Sequence, residues 1–286
     1  MNIFNTISEY QQYIHHHSNI ANSIALVPTM GNLHRGHLEL IKTAKKASEN
    51  VVVSIFVNPL QFSPDEDFKI YPRTLKQDLN KLEKLGCNLV FAPSINEMYP
   101  IGTKDQNELF KIIPPSSIAD ILEGQYRPGF FIGVATVVLK LFNIIQPKYA
   151  VFGKKDFQQL IVIENMVKAL NLPINIIRSP TIREDDGLAI SSRNSYLSNS
   201  NRKKALQLYQ TLKNAVEQIK DKSFKQIEND VINHLTNEGW QCDYVTFCRQ
   251  ENLQTPNAND NKLVLLAAAK LDKVRLIDNI EFDRKI

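Results

Sequence analysis

The chain has little cysteine, no long apolar run and no block of like charge, and each absence excludes a class of protein. Three cysteines, Cys87, Cys242 and Cys248, make an odd count with no CxxC pair. A disulfide framework or zinc ribbon is therefore not expected, and buried free thiols are. Cys242 and Cys248 lie an even distance apart in a strand-like run, which would turn both to one face of a sheet. No stretch approaches the ~18 uninterrupted apolar residues of a membrane span. The N-terminal MNIFNTISEYQQYIHHH lacks the basic and apolar regions of a signal peptide, so a cytoplasmic location is expected. The 34 basic and 30 acidic residues leave a net charge of +4, spread along the chain. That weak excess suits an anionic small molecule but lacks the clustered stripe of a nucleic-acid binder. The longest basic run, Arg202-Lys203-Lys204, reads as a solvated helix face. There is no internal repeat. The one low-complexity stretch, His15-His16-His17, reads as an exposed loop, because nothing nearby completes a metal site.

The 286 residues, 43% apolar and 22% charged, have the composition of a globular protein with a substantial core. Segments 24–28, 51–57, 89–91, 149–152 and 174–177 are short apolar runs of the kind that form strands covered on both faces. Helical patterns alternate with them. Leu38, Ile41 and Lys45 continue a helix after His37; Leu75, Leu79, Leu82 and Leu85 form a stripe; residues 134–145 are apolar nearly all round; and 157–170 follow the fourth run. This alternation predicts an α/β fold with a Rossmann-like, doubly wound parallel sheet, whose ligands bind beyond the carboxyl ends of the strands. After about residue 183 the pattern changes. Ala205, Leu208, Leu212, Val216 and Ile219 mark one amphipathic helix, 224–235 another, and 244–249, 263–270 and 274–277 read as antiparallel strands. The expected division is a domain over 1–183 and a smaller, lid-like C-terminal α+β domain over 184–286, with 183–194 as the hinge.

Four segments carry chemistry. In the first, Val27-Pro28-Thr29-Met30-Gly31-Asn32-Leu33-His34-Arg35-Gly36-His37, a predicted strand turns into a predicted helix. A helix N-terminus offers free N–H groups and the positive end of a dipole to phosphate. His34 and His37, three apart, share a face and can donate hydrogen bonds as charge moves onto a leaving pyrophosphate. The second is Asn58-Pro59-Leu60-Gln61-Phe62 with Asp67-Phe68 and Tyr71-Pro72-Arg73, where the amide of Gln61 suits a polar substrate. In the third, Gly153-Lys154-Lys155-Asp156, lysine can pair with phosphate and Asp156 can cap the following helix. The fourth, Asp186-Gly187-Leu188-Ala189-Ile190-Ser191-Ser192-Arg193-Asn194, suits a mobile loop over a triphosphate.

The H-x-G-H arrangement resembles the nucleotide signature of the nucleotidylyltransferase and class I aminoacyl-tRNA synthetase superfamily. Its context is narrower. PTMGNLHRGH at 28–37, FVNPLQF at 56–62 with EDFKIYPRT at 66–74, RPGFFIGVATVVLKLFNIIQP at 127–147, FGKKDFQQL at 152–160 and DGLAISSRNSYL at 186–197 resemble, in order and spacing, the pantothenate synthetase (pantoate–β-alanine ligase) family. The resemblance implies that ATP lies along Met30, Gly31, Asn32, Leu33, His34, Arg35, Gly36 and His37. Gly153, Lys154, Lys155, Asp156, Ile182, Ile190, Ser191, Ser192 and Arg193 would complete its site. It implies pantoate at Gln61 and Gln159 with Asn58 close by, Mg²⁺ accompanying ATP, and a homodimer. The sequence departs from the family at Phe130, where His is usual, at Ile132, where a basic or polar residue is frequent, and at Asn32, where Ala is usual. The first removes a donor, so binding there is expected to be weaker or to be supplied by Arg127.

The implied chemistry is attack of the pantoate carboxylate on the α-phosphorus of ATP, then displacement of AMP by the amine of β-alanine. No protein nucleophile is needed. The rate would come from positioning and charge stabilisation by His34, His37, Lys155, Ser191, Ser192 and Arg193. The alternatives are a nucleotidylyltransferase, which would release pyrophosphate but no AMP, and a non-catalytic nucleotide sensor or RNA-binding synthetase relative.

Overall fold

The computed structural model describes residues 1–64, 66–103 and 108–284. Strands β1 (Asn2–Phe4), β2 (Ala25–Thr29), β3 (Val51–Ile55), β4 (Leu89–Phe91), β5 (Tyr149–Gly153) and β6 (Asn175–Ser179) form one sheet in the order β1-β4-β3-β2-β5-β6. Every pairing is parallel. The longer helices of this part are α1 (Ile7–His16), α2 (Arg35–Ala47), α3 (Leu75–Lys84), α4 (Phe130–Ile145) and α5 (Phe157–Ala169). One face of the sheet, through Leu26, Val52, Phe91 and Phe152, packs against α1, α4 and α5. The other, through Ala25, Val27, Val53 and Val151, packs against α2 and α3. Covering on both faces is why the strands are continuous apolar runs rather than alternating ones. From β2 the chain winds outward to β3 and β4, whereas β5 pairs with the other side of β2 and leads to β6. The winding therefore reverses between β2 and β5, and the crevice at their carboxyl ends is where such sheets bind ligands.

The rest of the chain forms a second sheet, β7 (Gln241–Arg249), β8 (Lys262–Leu271) and β9 (Val274–Asp283), antiparallel throughout. One face buries Val245, Phe247, Leu265 and Leu276 against α6 (Leu206–Glu217) and α7 (Phe224–Asn237), where Leu212, Val231 and Leu235 meet them. The other face is also covered: Cys248, Val264 and Leu266 pack against Phe157 and Ile161 of α5 and against Leu122.

The structure corrects five sequence expectations. The sheet gains β1, three residues too short to show a pattern, and β9 runs ten residues rather than four. His15 and His16 end α1 instead of forming a loop, where basic side chains suit the helix C-terminus. Cys242 and Cys248 do not share a face. The pairing register slips between Cys242 and Tyr244, a bulge that inserts one residue and turns Cys242 toward α7 and Cys248 toward α5. Asp156 precedes α5 but makes no side-chain capping bond; its carboxylate lies 3.6 Å from Lys155 Nζ instead.

Candidate active site

At the carboxyl end of β2 the chain must turn from strand to helix within a few residues, and it does so through two consecutive left-handed residues, Gly31 (φ 78°) and Asn32 (φ 50°). Glycine adopts that conformation at little cost, and asparagine tolerates it better than alanine does. The family departure at Asn32 therefore fits its backbone. The turn places His34 and His37 at the start of α2 with their rings stacked, 4.0 Å between centroids and 25° between planes. The backbone N–H of His34 donates to His37 Nδ1 at 3.3 Å, so neutral His37 carries its proton on Nε2. His34 Nδ1 is buried without a protein partner among the described residues.

Both imidazoles are held neutral. Burial, reinforced by the charge of Lys155 and then Lys81 against the opposing pull of Asp156, lowers the His34 pKa to about 4. Burial, the neighbouring His34, Lys155 and Lys81 lower that of His37 to about 3. Two stacked imidazolium ions beside two ammonium groups would repel one another, so at neutral pH the pair offers N–H donors without charge.

These histidines line a cavity of about 250 Å³ at the sheet's reversal point. Its wall includes Met30, Gly36, Gly153, Lys155, Asp156, Ile182, Ile190, Ser191, Ser192 and Arg193, together with Asn58, Gln61 and Gln159. The fold thus brings together parts of four segments that are far apart in sequence. It adjoins a larger cavity of about 690 Å³ between the two sheets, which shares Arg127, Phe130, Lys155, Gln159, Ser191 and Arg193. Gly31, Asn32, Leu33, Arg35 and Lys154 do not line either cavity. Gly31 and Asn32 form the turn beneath, and Leu33 is a core residue at 1% exposure. Arg35 is exposed 3.8 Å from Asp185, and Lys154 is paired with Glu281 at 2.7 Å.

The polar side chains differ in how committed they are. Asn58 is buried: its amide donates to Gly133 O at 3.1 Å and to Gln61 Oε1 at 3.2 Å, while its Oδ1 accepts from Tyr99 OH at 2.8 Å. It fixes Gln61 rather than offering a free group. The turn carrying both residues packs so closely on α4 that a Cβ at Gly133 would lie 2.1 Å from Leu60 O. Only glycine fits there. Gln158 is consumed by backbone bonds to Ile118, Ile121 and Glu123, leaving its neighbour Gln159 to face the cavity. Arg127, beside the missing histidine donor, lines both cavities. Its guanidinium lies 3.7 Å over the Phe130 ring and forms a two-bond pair with Glu66 at 2.6 and 2.8 Å. Phe130 has become a shelf for this arginine.

Ser191 Oγ accepts from the Arg193 N–H at 3.3 Å, and Arg193 reaches Asp67 Oδ1 at 3.1 Å. Burial opposes the Arg193 charge, but Asp67 outweighs it and the pKa is raised. The preceding part of the segment is anchored. Leu188, Ala189 and Ile190 are buried, and Arg183 bonds both oxygens of Asp278 at 2.7 Å. Leu188 thus joins the core beneath the second sheet, and Arg183 ties the start of the segment to β9.

Residues 2–281 match the family model described as Pantoate-beta-alanine ligase. The chain belongs to the pantoate–β-alanine ligase family. A pantothenate synthetase from Nitrosospira multiformis is 48% identical over 265 residues, 92% of this chain and 93% of its own length. The crystal structure of pantothenate synthetase from Thermus thermophilus superposes with a TM-score of 0.90 at 38% identity, covering 98% of this chain and 99% of that one. Pantoate-beta-alanine ligase from Francisella tularensis, solved in complex with beta-gamma ATP and beta-alanine, gives a TM-score of 0.81 at 36% identity over 98% and 97% of the two chains. Membership in this ligase family sets aside the nucleotidylyltransferase, sensor and RNA-binding alternatives.

Three residues that organise the site escaped the sequence reading. Asp78 and Lys81 of α3 bond the turn before His34, and Asn279 of β9 donates to the carbonyls of Lys154 and Lys155 at 2.9 and 3.0 Å. Nothing in the sequence marks them, because an acid or lysine in a polar helix stripe looks the same whether it faces water or a neighbouring turn.

Proposed function

We propose that this ligase condenses pantoate with β-alanine through a pantoyl adenylate, with the triphosphate of ATP along the start of α2. The observation that carries this is the uncharged, stacked His34–His37 pair at a helix N-terminus, facing Lys155 across one cavity at the sheet's reversal point. Helix N–H groups, two imidazole donors and one ammonium form the complement to a pyrophosphate that gains charge as it leaves. Asp156, Gly153, Ile182 and Ile190 would wall the nucleotide. Ser191, Ser192 and Arg193 would close on its phosphates. Gln61, held by Asn58, and Gln159 would hold pantoate.

In the first step a pantoate carboxylate oxygen bonds to the α-phosphorus and the bond to the β-phosphate oxygen breaks, releasing pyrophosphate. In the second the free amine of β-alanine attacks the acyl carbon, the carbon–oxygen bond to AMP breaks, and the amine loses a proton. AMP is a far better leaving group than the oxide of a free carboxylate. The mixed anhydride must be shielded from water. The lid we assign to this is 191–196, since 183–190 is anchored. The division at residue 183 and a lid-like C-terminal part belong to the same proposal.

Among the described residues no group of three His, Cys, Asp or Glu side chains is placed to hold a metal ion. At the cleft Asp156 lies 3.6 Å from Lys155 Nζ, and Asp67 bonds Arg193 through Oδ1 while its Oδ2 is buried without a partner among the described residues. The described residues thus form no side-chain cage for a resident Mg²⁺, and Mg²⁺ would travel on the phosphate oxygens of ATP. A homodimer is supported by the exposure of Ile101, Phe110 and Ile113 at 71%, 98% and 75%, and sedimentation tests it. A cytoplasmic location agrees with ATP as substrate and three free cysteines.

The test is pyrophosphate release from ATP with pantoate alone, followed by AMP release on adding β-alanine. His37→Ala and Lys155→Ala should each lower adenylate formation by about 10²–10³-fold while the circular dichroism spectrum stays unchanged. No response to pantoate, or wild-type pyrophosphate release by both variants, would defeat the assignment.

A further inference from the structure

Two charged side chains three residues apart on α3 hold the peptide groups just before His34. Asp78 is fully buried. Its Oδ1 accepts from the Leu33 N–H at 2.7 Å, and its Oδ2 accepts from the Asn32 N–H at 2.9 Å and from Thr74 Oγ1 at 3.0 Å. Lys81 Nζ donates to the Leu33 carbonyl at 2.6 Å. One helix face thus satisfies two donors and one acceptor of a turn whose left-handed backbone belongs to no ladder. Neither side chain lines either cavity.

We propose that Asp78 and Lys81 are positioning residues for the phosphate site, fixing the turn at 31–33 so that α2 begins with His34 and His37 stacked toward the cleft. The proposal rests on the assignment of the triphosphate to this segment. The physical case is that a buried N–H without an acceptor is costly, so an unclamped turn would relax toward other partners. Since His34 follows Leu33 directly, any relaxation moves the helix start. A displacement of about 1 Å at a reacting centre can cost on the order of a hundredfold in rate. Lys81 adds a second effect. Its charge joins that of Lys155 in disfavouring protonation of both histidines, against Asp156 facing His34.

The experiment uses the full chain with Asp78→Asn, Lys81→Met and Lys81→Arg, and His37→Ala as a control. Kinetics are measured with ATP and pantoate varied separately, and ATP binding is measured by calorimetry. Asp78→Asn presents an NH₂ to one of the two backbone donors. It should lower kcat/KM for ATP about 10–100-fold and leave KM for pantoate unchanged. Lys81→Met should show a several-fold loss of the same kind, restored by Lys81→Arg, and the His37 ring should titrate higher by NMR. Should Asp78→Asn fail to fold, the two Lys81 variants decide, because that side chain reaches the turn from a part-buried position. Wild-type ATP kinetics in Lys81→Met or in folded Asp78→Asn, with His37→Ala crippled, overturns the clamp alone. Wild-type activity in His37→Ala overturns the triphosphate assignment and the clamp with it.

Discussion

Asn32 shows how one side chain follows from one dihedral angle. At φ 50° a residue with a Cβ is strained, and asparagine bears the strain better than most. Asn32→Ala should destabilise the protein by about 1 kcal/mol, whereas Asn32→Gly should be close to neutral. Urea denaturation of the pair measures this, and equal midpoints would show that the turn is not limiting. His37 makes a pH-dependent contribution of definite sign. Its pKa falls from 6.5 to about 3 on folding, so the unfolded chain binds the proton more readily. Stability is fully present above pH 6.5 and is lost as pH drops toward the folded value, by up to about 1.4 kcal/mol per pH unit. Melting the wild type and His37→Asn at pH 7.5 and 5.5 should give a flatter dependence for the variant; parallel dependences would contradict the buried neutral state.

At the scale of elements, the site depends on three contacts between pieces remote in sequence. The turn bearing Asn58 and Gln61 rests on α4, the start of α2 rests on α3, and the loop bearing Lys155 rests on β9. In the last, the buried amide of Asn279 spans the carbonyls of Lys154 and Lys155. Asn279→Ala should lower pyrophosphate release about 10-fold by loosening Lys155, with the fold retained. Turnover equal to wild type would show that Lys155 is set by its own loop. Most of these elements could be read in advance. The start of α2 follows from its glycines and histidines, and α3 from the stripe Leu75, Leu79, Leu82. The inward turn of Asp78 between those leucines could not, because periodicity reports which face is apolar and not which polar residue finds a buried partner.

Across the whole molecule, a charged network joins the second sheet to the first part of the chain. Arg275 of β9 bonds both oxygens of Glu123 at 2.6 and 2.7 Å and Asp243 at 2.6 Å, and Tyr244 adds a bond to Glu123 at 2.8 Å. Glu123 belongs to the first part of the chain and is 8% exposed. Arg275→Met would strand two carboxylates at the junction and should cost about 3–5 kcal/mol in equilibrium unfolding. A cost under about 1 kcal/mol would mean that water screens the network. Together with the apolar contact of Cys248, Val264 and Leu266 on α5, this junction brings the Asn279 side chain of β9 to the lysine loop.

The chemistry was carried by local sequence: a strand, a glycine turn and two histidines three apart specify a phosphate-binding helix start by short-range geometry alone. The continuous apolar strands and the change of pattern after residue 183 marked out both sheets for the same reason. Tertiary structure decided what depends on burial and on distant partners. It held His34 and His37 neutral and made Phe130 a shelf for Arg127. It also withdrew Lys154 from the cleft and gave the start of α2 its support from Asp78 and Lys81. Each of these is a choice among polar partners, and partners are known only once the chain has packed.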